Sequence, residues 1–207
     1  MKLRGVELEL FDHEAVCSVI RESGDFYEAW ILDDLLRKRG PEPGWILDVG
    51  AHIGNHSVYW ASFASPAGIL AWEPMPESYA LLKRNLKPYR HAHAIRLALS
   101  DRVGTAKMHR DEVNRGRSRI SSMGTEWVKT IPLDEAGLSG VSLIKVDVEG
   151  WQRNVLLGAS RTLHKCHPAL LIEDGEQLVE PTLAELGLGR YQLTMRYPGS
   201  NDLWEWT

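Results

Sequence analysis

Trp45-Ile46-Leu47-Asp48-Val49-Gly50-Ala51-His52-Ile53-Gly54 is the stretch whose reading decides the fold. A short apolar run leads into an acid, a glycine and, four residues on, a second glycine. That order reads as a buried strand, a tight turn and the start of a helix. Glycine at 50 lets the backbone turn sharply and come close to a ligand. Gly54 begins the helix, whose free N–H groups favour an anionic group. A single glycine there would mark a plain strand-to-helix turn. Two glycines, an acid at the strand end and a second acid downstream set a binding loop beside that reading.

Outward from this stretch, strand-length apolar runs recur over residues 45–47, 68–72, 94–98, 143–146 and 169–172. They are largely apolar, as parallel strands buried on both faces are. Helical spacing fills the intervals over 56–64, 76–86 and 152–163. The alternation predicts right-handed crossovers and a doubly wound, Rossmann-like α/β fold with a mostly parallel sheet. Near the end, Tyr191, Leu193, Met195 and Tyr197 alternate with polar residues, and Pro198-Gly199-Ser200-Asn201 is a turn cluster before Leu203-Trp204-Glu205-Trp206. This predicts a C-terminal antiparallel hairpin added to the sheet. Residues 104–131 read as irregular, with an exposed basic loop at Asn114-Arg115-Gly116-Arg117-Ser118-Arg119 and a short strand over 127–131. Residues 25–38 read as an amphipathic helix that Gly40-Pro41 terminates. At 207 residues the expectation is one domain, 1–207, with a helical cap over 1–40 and the Rossmann-like core over 44–207.

Composition narrows the function. Hydrophobic residues at 43% and charged residues at 25% are those of a folded chain. The net charge of −4, from 28 acids against 24 bases, is poor for a dedicated nucleic-acid binder. No apolar run approaches the roughly 20 residues that span a bilayer, and residues 1–14 lack a signal-peptide core. Two cysteines, Cys17 and Cys166, build neither a disulfide framework nor a four-ligand zinc site, and fit a reducing, cytoplasmic compartment.

The glycine loop also bears on which nucleotide it would hold. A dinucleotide fingerprint is Gly-x-Gly-x-x-Gly. Aligning Gly50 with its first or second glycine puts His52 or Asp48 where another glycine is needed. Asp48 is also unhelpful beside a pyrophosphate. A ligand with an amino group and a sulfonium, S-adenosylmethionine, suits the loop better than a nicotinamide dinucleotide. Glu73, 25 residues after Asp48 in Trp72-Glu73-Pro74, has the bidentate geometry to accept from two vicinal ribose hydroxyls. A solvent-facing strand-end acid is the plainer reading. Both cofactors carry a ribose at this distance. Ser100-Asp101, after the third run, would flank an adenine, with Asp101 either accepting from its amino group or starting a turn. In Lys145-Val146-Asp147-Val148-Glu149, a period of two puts all three ionisable groups on one strand face. There they are costly unless paired or at work. One reading is an internal Lys145–Asp147 ion pair with Glu149 in solvent; the other turns Asp147 and Glu149 towards a methyl donor and acceptor.

Together these segments resemble the FkbM-type family of S-adenosylmethionine-dependent methyltransferases. The matching residues are Asp48-Val49-Gly50-Ala51-x-Ile53-Gly54-Asn55-His56-Ser57, Glu73-Pro74-x-Pro76 with Asn85-Leu86, Ala98-Leu99-Ser100-Asp101, Lys145-Val146-Asp147-Val148-Glu149-Gly150, Leu171-Ile172-Glu173 and Phe26-Tyr27-Glu28. The resemblance implies a class I methyltransferase fold. It implies cofactor contacts from Tyr27, Asp48, Gly50, Ala51, Gly54, Asn55, Glu73, Pro74, Ser100, Asp101 and Asp147. The family methylates hydroxyl groups of varied glycans and natural products, with some members acting on amide nitrogen, so a small-molecule or glycan acceptor is expected. Two departures stand out: His52 where the family more often has Asn, and Gln152 where it commonly has Glu.

An alcohol acceptor needs its proton taken by a positioned base. The candidates, in order, are Asp147, Glu149 and His56, although His56 in the first helical turn equally reads as a capping or packing residue. Asp147, Glu149 and Glu173 offer the oxygen ligands that Mg²⁺ takes. No spacing specifies such a site, and no metal ligand is assigned. Arg115, Arg117 and Arg119 read as a cover over the site, a grip on an anionic acceptor, or a solvated loop. Beside the methyltransferase stand a nicotinamide-dependent oxidoreductase, which the non-fingerprint glycine loop disfavours, and an inactive binding module that keeps the fold.

Overall fold

The computed structural model describes residues 1–40, 42–111 and 114–207. The chain opens with a short hairpin, β1 (Lys2–Leu3) and β2 (Val6–Glu7), then two helices, α1 (Ala15–Ser23) and α2 (Ala29–Arg39). Next come β3 (Trp45–Val49), α3 (Asn55–Phe63), β4 (Gly68–Trp72), α4 (Pro76–Leu86) and β5 (Ala92–Ile95). A second small sheet follows from β6 (Ala98–Leu99), β7 (Gly104–His109), β8 (Arg119–Ile120) and β9 (Glu126–Ile131). The chain then returns through β10 (Val141–Val146), α5 (Gln152–Gly158), α6 (Ser160–Cys166), β11 (Ala169–Glu173) and α7 (Val179–Glu185) to the hairpin β12 (Tyr191–Tyr197) and β13 (Asn201–Trp206).

The main sheet runs β12-β13-β11-β10-β3-β4-β5. Strands β11, β10, β3, β4 and β5 pair in parallel, and the C-terminal hairpin closes one edge antiparallel, as the alternation at 191–206 predicts. From β3 the chain winds out through β4 to β5, then returns to the other side of β3 at β10. The switch in strand order therefore lies between β3 and β10. In such sheets the crevice outside the carboxyl ends at that point is where ligands bind.

Strand period splits the core in two. Ile46, Ile69, Leu143 and Leu171 pack with the helices from α1 to α4, whereas Leu47, Ile144, Leu170 and Ile172 pack with α5 to α7. The central strands β3, β10 and β11 are buried on both faces because helices cover both. Among the described residues no helix is long and apolar enough to cross a membrane.

Several elements differ from the sequence expectation. The apolar run over 94–98 is two strands rather than one. After Ile95 the chain bends, with Leu97 N–H bonded back to Ile95 O at 3.1 Å, and Ala98 and Leu99 pair instead with Thr130 and Ile131 of β9. The irregular zone from 104 holds three strands of the small sheet. Helix α2 starts at Ala29, and α1, which the sequence reading lacked, precedes it, capped by the Glu14 side chain accepting from Cys17 N–H. Gly40 ends α2 at a positive φ of 72°; Pro41, its expected partner in termination, lies outside the described residues.

Helical spacing over 152–163 is likewise broken, at Ala159. The break seats α5 against the end of β6. A Cβ on Gly158 would fall 1.9 Å from the Ser100 carbonyl oxygen. Helix propensity alone would favour alanine at that position by about 1 kcal/mol, but forcing a methyl against a backbone carbonyl costs about 1–3 kcal/mol or more. Gly158→Ala is therefore expected to unfold at lower urea concentration than the parent chain. A raised midpoint would mean that the α5–β6 contact yields without cost.

Candidate active site

A cavity of about 350 Å³ opens at the carboxyl ends of β3, β4 and β10. That volume lies within the roughly 300–1,000 Å³ of small-molecule pockets. The glycine loop after β3 forms one wall. Gly50 has φ +79°, and a Cβ there would stand 1.8 Å from the Asp147 carbonyl oxygen. Only glycine allows this loop to lie directly on the end of β10. Gly50 and Ala51 donate their N–H groups to Trp72 O, each at 3.0 Å, so the loop is also tied to β4.

Glu73 sits at the end of β4, buried. Its Oε1 accepts from Met75 N–H at 2.8 Å and its Oε2 from His52 N–H at 3.0 Å. Burial pushes its pKa up to about 7, against the pull of those two N–H groups. His52 offers the bond from a left-handed backbone, φ 50°, a conformation that asparagine adopts more easily than most residues.

Asn55, in the first turn of α3, clips the N-terminal segment to the loop. Its Oδ1 accepts from Tyr27 N–H at 2.9 Å and its Nδ2 donates to Tyr27 O at 3.0 Å. This brings Tyr27 and Glu28 to the cavity. His56 Nε2 then lies 3.2 Å from Glu28 Oε2, and Asn201 Nδ2 donates to Glu28 Oε1 at 3.0 Å.

The floor is ionic. Lys145 is buried, with Nζ 3.1 Å from Asp147 Oδ2, 3.6 Å from Asp48 Oδ1 and 3.5 Å from Gly50 O. Burial works against its ammonium, but the two aspartates outweigh it and hold the pKa above the ordinary lysine value. Asp147, Glu149 and Glu173 bring carboxylate oxygens within 4.8 Å of one another. Burial would raise Asp147, but Lys145 and a hydrogen bond from Glu173 hold it below the usual carboxylate range. Glu173 goes the other way: burial, then the bond to Asp147, push it up to about 8. At neutral pH the pair holds an ionised Asp147 and a protonated Glu173.

Of the residues singled out in the sequence, Tyr27, Gly50, Ala51, Asn55, His56, Glu73, Pro74, Asp147 and Glu149 line this cavity. Asp48, Gly54, Ser100 and Asp101 are not among its lining residues. Asp48 is fully buried, accepting from Ser57 Oγ at 2.6 Å and facing Lys145. Gly54 packs on Leu82 of α4. Asp101 accepts from Ser100 Oγ and Asn154 Nδ2, while Leu97, Leu99 and Trp151 line the cavity. Gln152 is outside the cavity too; its Nε2 donates to the Glu173 carbonyl oxygen, a bond an ionised glutamate could not make. Glu28, Lys145 and Asn201 are lining residues that the sequence reading left without a site role. The basic loop is a wall of the cavity, through Arg115, Arg117 and Arg119.

Comparisons with known proteins bear on the family and the fold. The family model described as Methyltransferase FkbM domain matches residues 48–186, well over half of the chain. The hexuronic acid methyltransferase AglP of Haloferax volcanii is 30% identical over 135 residues, 62% of this chain and 55% of that protein. The 2-O-methyltransferase NoeI of Sinorhizobium fredii is 27% identical over 150 residues, 60% of each. The chain thus spans little more than half the length of these relatives. The crystal structure of a methyltransferase FkbM from Methylobacillus flagellatus shares the fold with a TM-score of 0.62 at 17% identity, over 80% of this chain and 44% of that one.

The raised pKa of Glu73 has a consequence for stability. A carboxyl that ionises near 4.5 when unfolded and near 7 when folded contributes stability that is full below the lower value and lost as pH rises through the upper one. In Glu73→Gln this dependence is absent. The stability difference between the two proteins should therefore move in the variant's favour by about 2–3 kcal/mol from pH 5 to pH 8. Paired urea titrations at both pH values, without added ligand, read this directly; parallel pH profiles would refute it.

Proposed function

The chain belongs to the FkbM methyltransferase family, and on that premise we propose that it is an S-adenosylmethionine-dependent enzyme that methylates a hydroxyl group of a sugar or another small acceptor. The observation that carries the reading is one cavity holding both Glu73 and the Asp147–Glu173 pair, whose carboxylate oxygens lie within 4.8 Å of one another and of Glu149.

The residues present suit this cofactor. Each oxygen of Glu73 accepts one backbone N–H and keeps lone-pair capacity for a hydroxyl, as two vicinal ribose hydroxyls require. Leu97, Leu99 and Pro74 offer an apolar wall to a flat base. The floor carries more carboxylate than ammonium, which favours a cationic ligand. Tyr27, Gly50, Ala51 and Asn55 complete the enclosure from the loop side, and Asp48 contributes by holding Ser57 and Lys145. When bound, S-adenosylmethionine supplies a methyl group on a positively charged sulfur, open to displacement by an acceptor oxygen.

The chain's own part is positioning and proton transfer. Holding two reactants in line removes much of the entropy cost of a bimolecular step. Asp147 is ionised at neutral pH and accepts the hydroxyl proton. Glu173, already protonated, does not compete for it; it donates a hydrogen bond to Asp147 and orients it. Gln152 in turn fixes the backbone of Glu173. Relatives named for hexuronic acid and for 2-O-methylation support an oxygen acceptor over an amide nitrogen.

Formation of S-adenosylhomocysteine with a panel of hydroxylated acceptors, and a methyl mass increment on one of them, tests the assignment; neither signal with any acceptor would sink it. In Glu73→Ala, calorimetric titration should show S-adenosylmethionine binding weakened by about 1–3 kcal/mol, and an unchanged constant in the folded variant would remove Glu73 from the ribose role. Asp147→Asn should still bind the cofactor and lose turnover by about 100-fold or more. Glu173→Gln, which imitates the protonated acid, should keep most of it. Equal losses in the two variants would contradict this division of roles.

A further inference from the structure

The cavity carries opposite charges in its lining. Asp147, Glu149 and Glu173 form an acidic cluster, and the segment after β7 supplies Arg115, Arg117 and Arg119. Arg115 is already engaged, with Nη1 2.8 Å from Glu77 Oε2 and its guanidinium 4.5 Å over the Phe11 ring. It anchors the loop. Arg117 and Arg119 differ. Both are exposed, both line the cavity, and neither forms an ion pair among the described residues. Arg119 stands on β8, held by its pairing with His109, and Arg117 follows Arg115 on the adjoining helical turn. Glu149 is near enough to feel both charges, yet takes neither as a partner. Two guanidinium groups with free donors thus face a small-molecule cavity in a chain whose net charge is −4. Such forks bind carboxylates and phosphates in bidentate fashion.

We propose that the acceptor carries an anionic group, a carboxylate or a phosphate, which Arg117 and Arg119 receive while its hydroxyl faces Asp147. The two charged clusters then select an acceptor by the placement of its charge relative to its reacting hydroxyl. Neutral acceptors lack the first contact, and acceptors whose anion lies beside the reacting oxygen are repelled by the acidic cluster. This rests on the methyltransferase reading above and specifies its substrate class.

The test uses the full chain, S-adenosylmethionine and matched acceptors: glucose against glucuronic acid for a carboxylate, glucose against glucose 6-phosphate for a phosphate. The acidic member of at least one pair should be turned over with a kcat/KM about 10- to 100-fold above its neutral counterpart. The preference should shrink as salt is raised, and the pair that shows it names the anion. In the double variant Arg117→Ala, Arg119→Ala the preference should vanish through KM, with the dissociation constant of S-adenosylmethionine unchanged. No advantage for either acidic acceptor overturns the proposal while S-adenosylmethionine binding keeps the methyltransferase reading intact. So does a preference that survives in the double variant, or a cofactor affinity that falls with it, since the arginines would then serve the cofactor. If S-adenosylmethionine fails to bind the parent chain, both fall together.

Discussion

A single buried ammonium holds this molecule's functional end together. Lys145 is paired in register with Asp48 across β10 and β3, and its Nζ reaches Asp48, Asp147 and the carbonyl of Gly50 at once. Those three groups belong to the strand before the turn, the turn itself and the neighbouring strand end. Taking a charge out of water costs several kcal/mol unless it is paired well, so the two carboxylates and the carbonyl are drawn to fixed positions around it. One cation between two anions leaves a surplus of negative charge at the crevice. The adjacent carboxyl pair adjusts to that surplus by keeping a proton on Glu173.

The larger plan was readable in the chain because it rests on local periodicity. Apolar runs at 45–47, 68–72, 143–146 and 169–172 are strands because helices cover both their faces, and the alternation over 191–206 is an edge hairpin. The glycine loop, the acid after β4 and the Lys145-x-Asp147-x-Glu149 alternation were visible for the same reason. They lie at strand ends, where spacing in sequence is spacing in space. The choice between an internal Lys145–Asp147 pair and a functional face was not a choice at all. Asp147 pairs with Lys145 through one oxygen and lines the cavity as well.

What periodicity could not supply are contacts between distant segments. Ala94 to Ala98 is apolar but for Arg96, and nothing local says that the chain leaves one sheet for another after Ile95. The halves of the 152–163 helix separate because Gly158 meets the carbonyl of Ser100, 58 residues earlier. The place of Glu28 depends on His56 and Asn201, and that of the basic loop on Glu77 and Phe11. Asp48, Ser100 and Asp101 are polar at strand ends. In the fold Asp48 accepts from Ser57, Asp101 accepts from Ser100 and Asn154, and none of the three is among the residues lining the cavity.

The clasp between Asn55 and the backbone of Tyr27 reaches beyond the site itself. The family model matches 48–186, yet the enclosure is finished by residues on either side of that span. Tyr27 and Glu28 arrive from upstream and Asn201 from downstream, and the last two are bonded to each other. The middle is a bowl without a rim, and the rim is stitched from the two flanks. Such flanks let the mouth of the cavity change shape while the glycine loop, Glu73 and Lys145 stay in place.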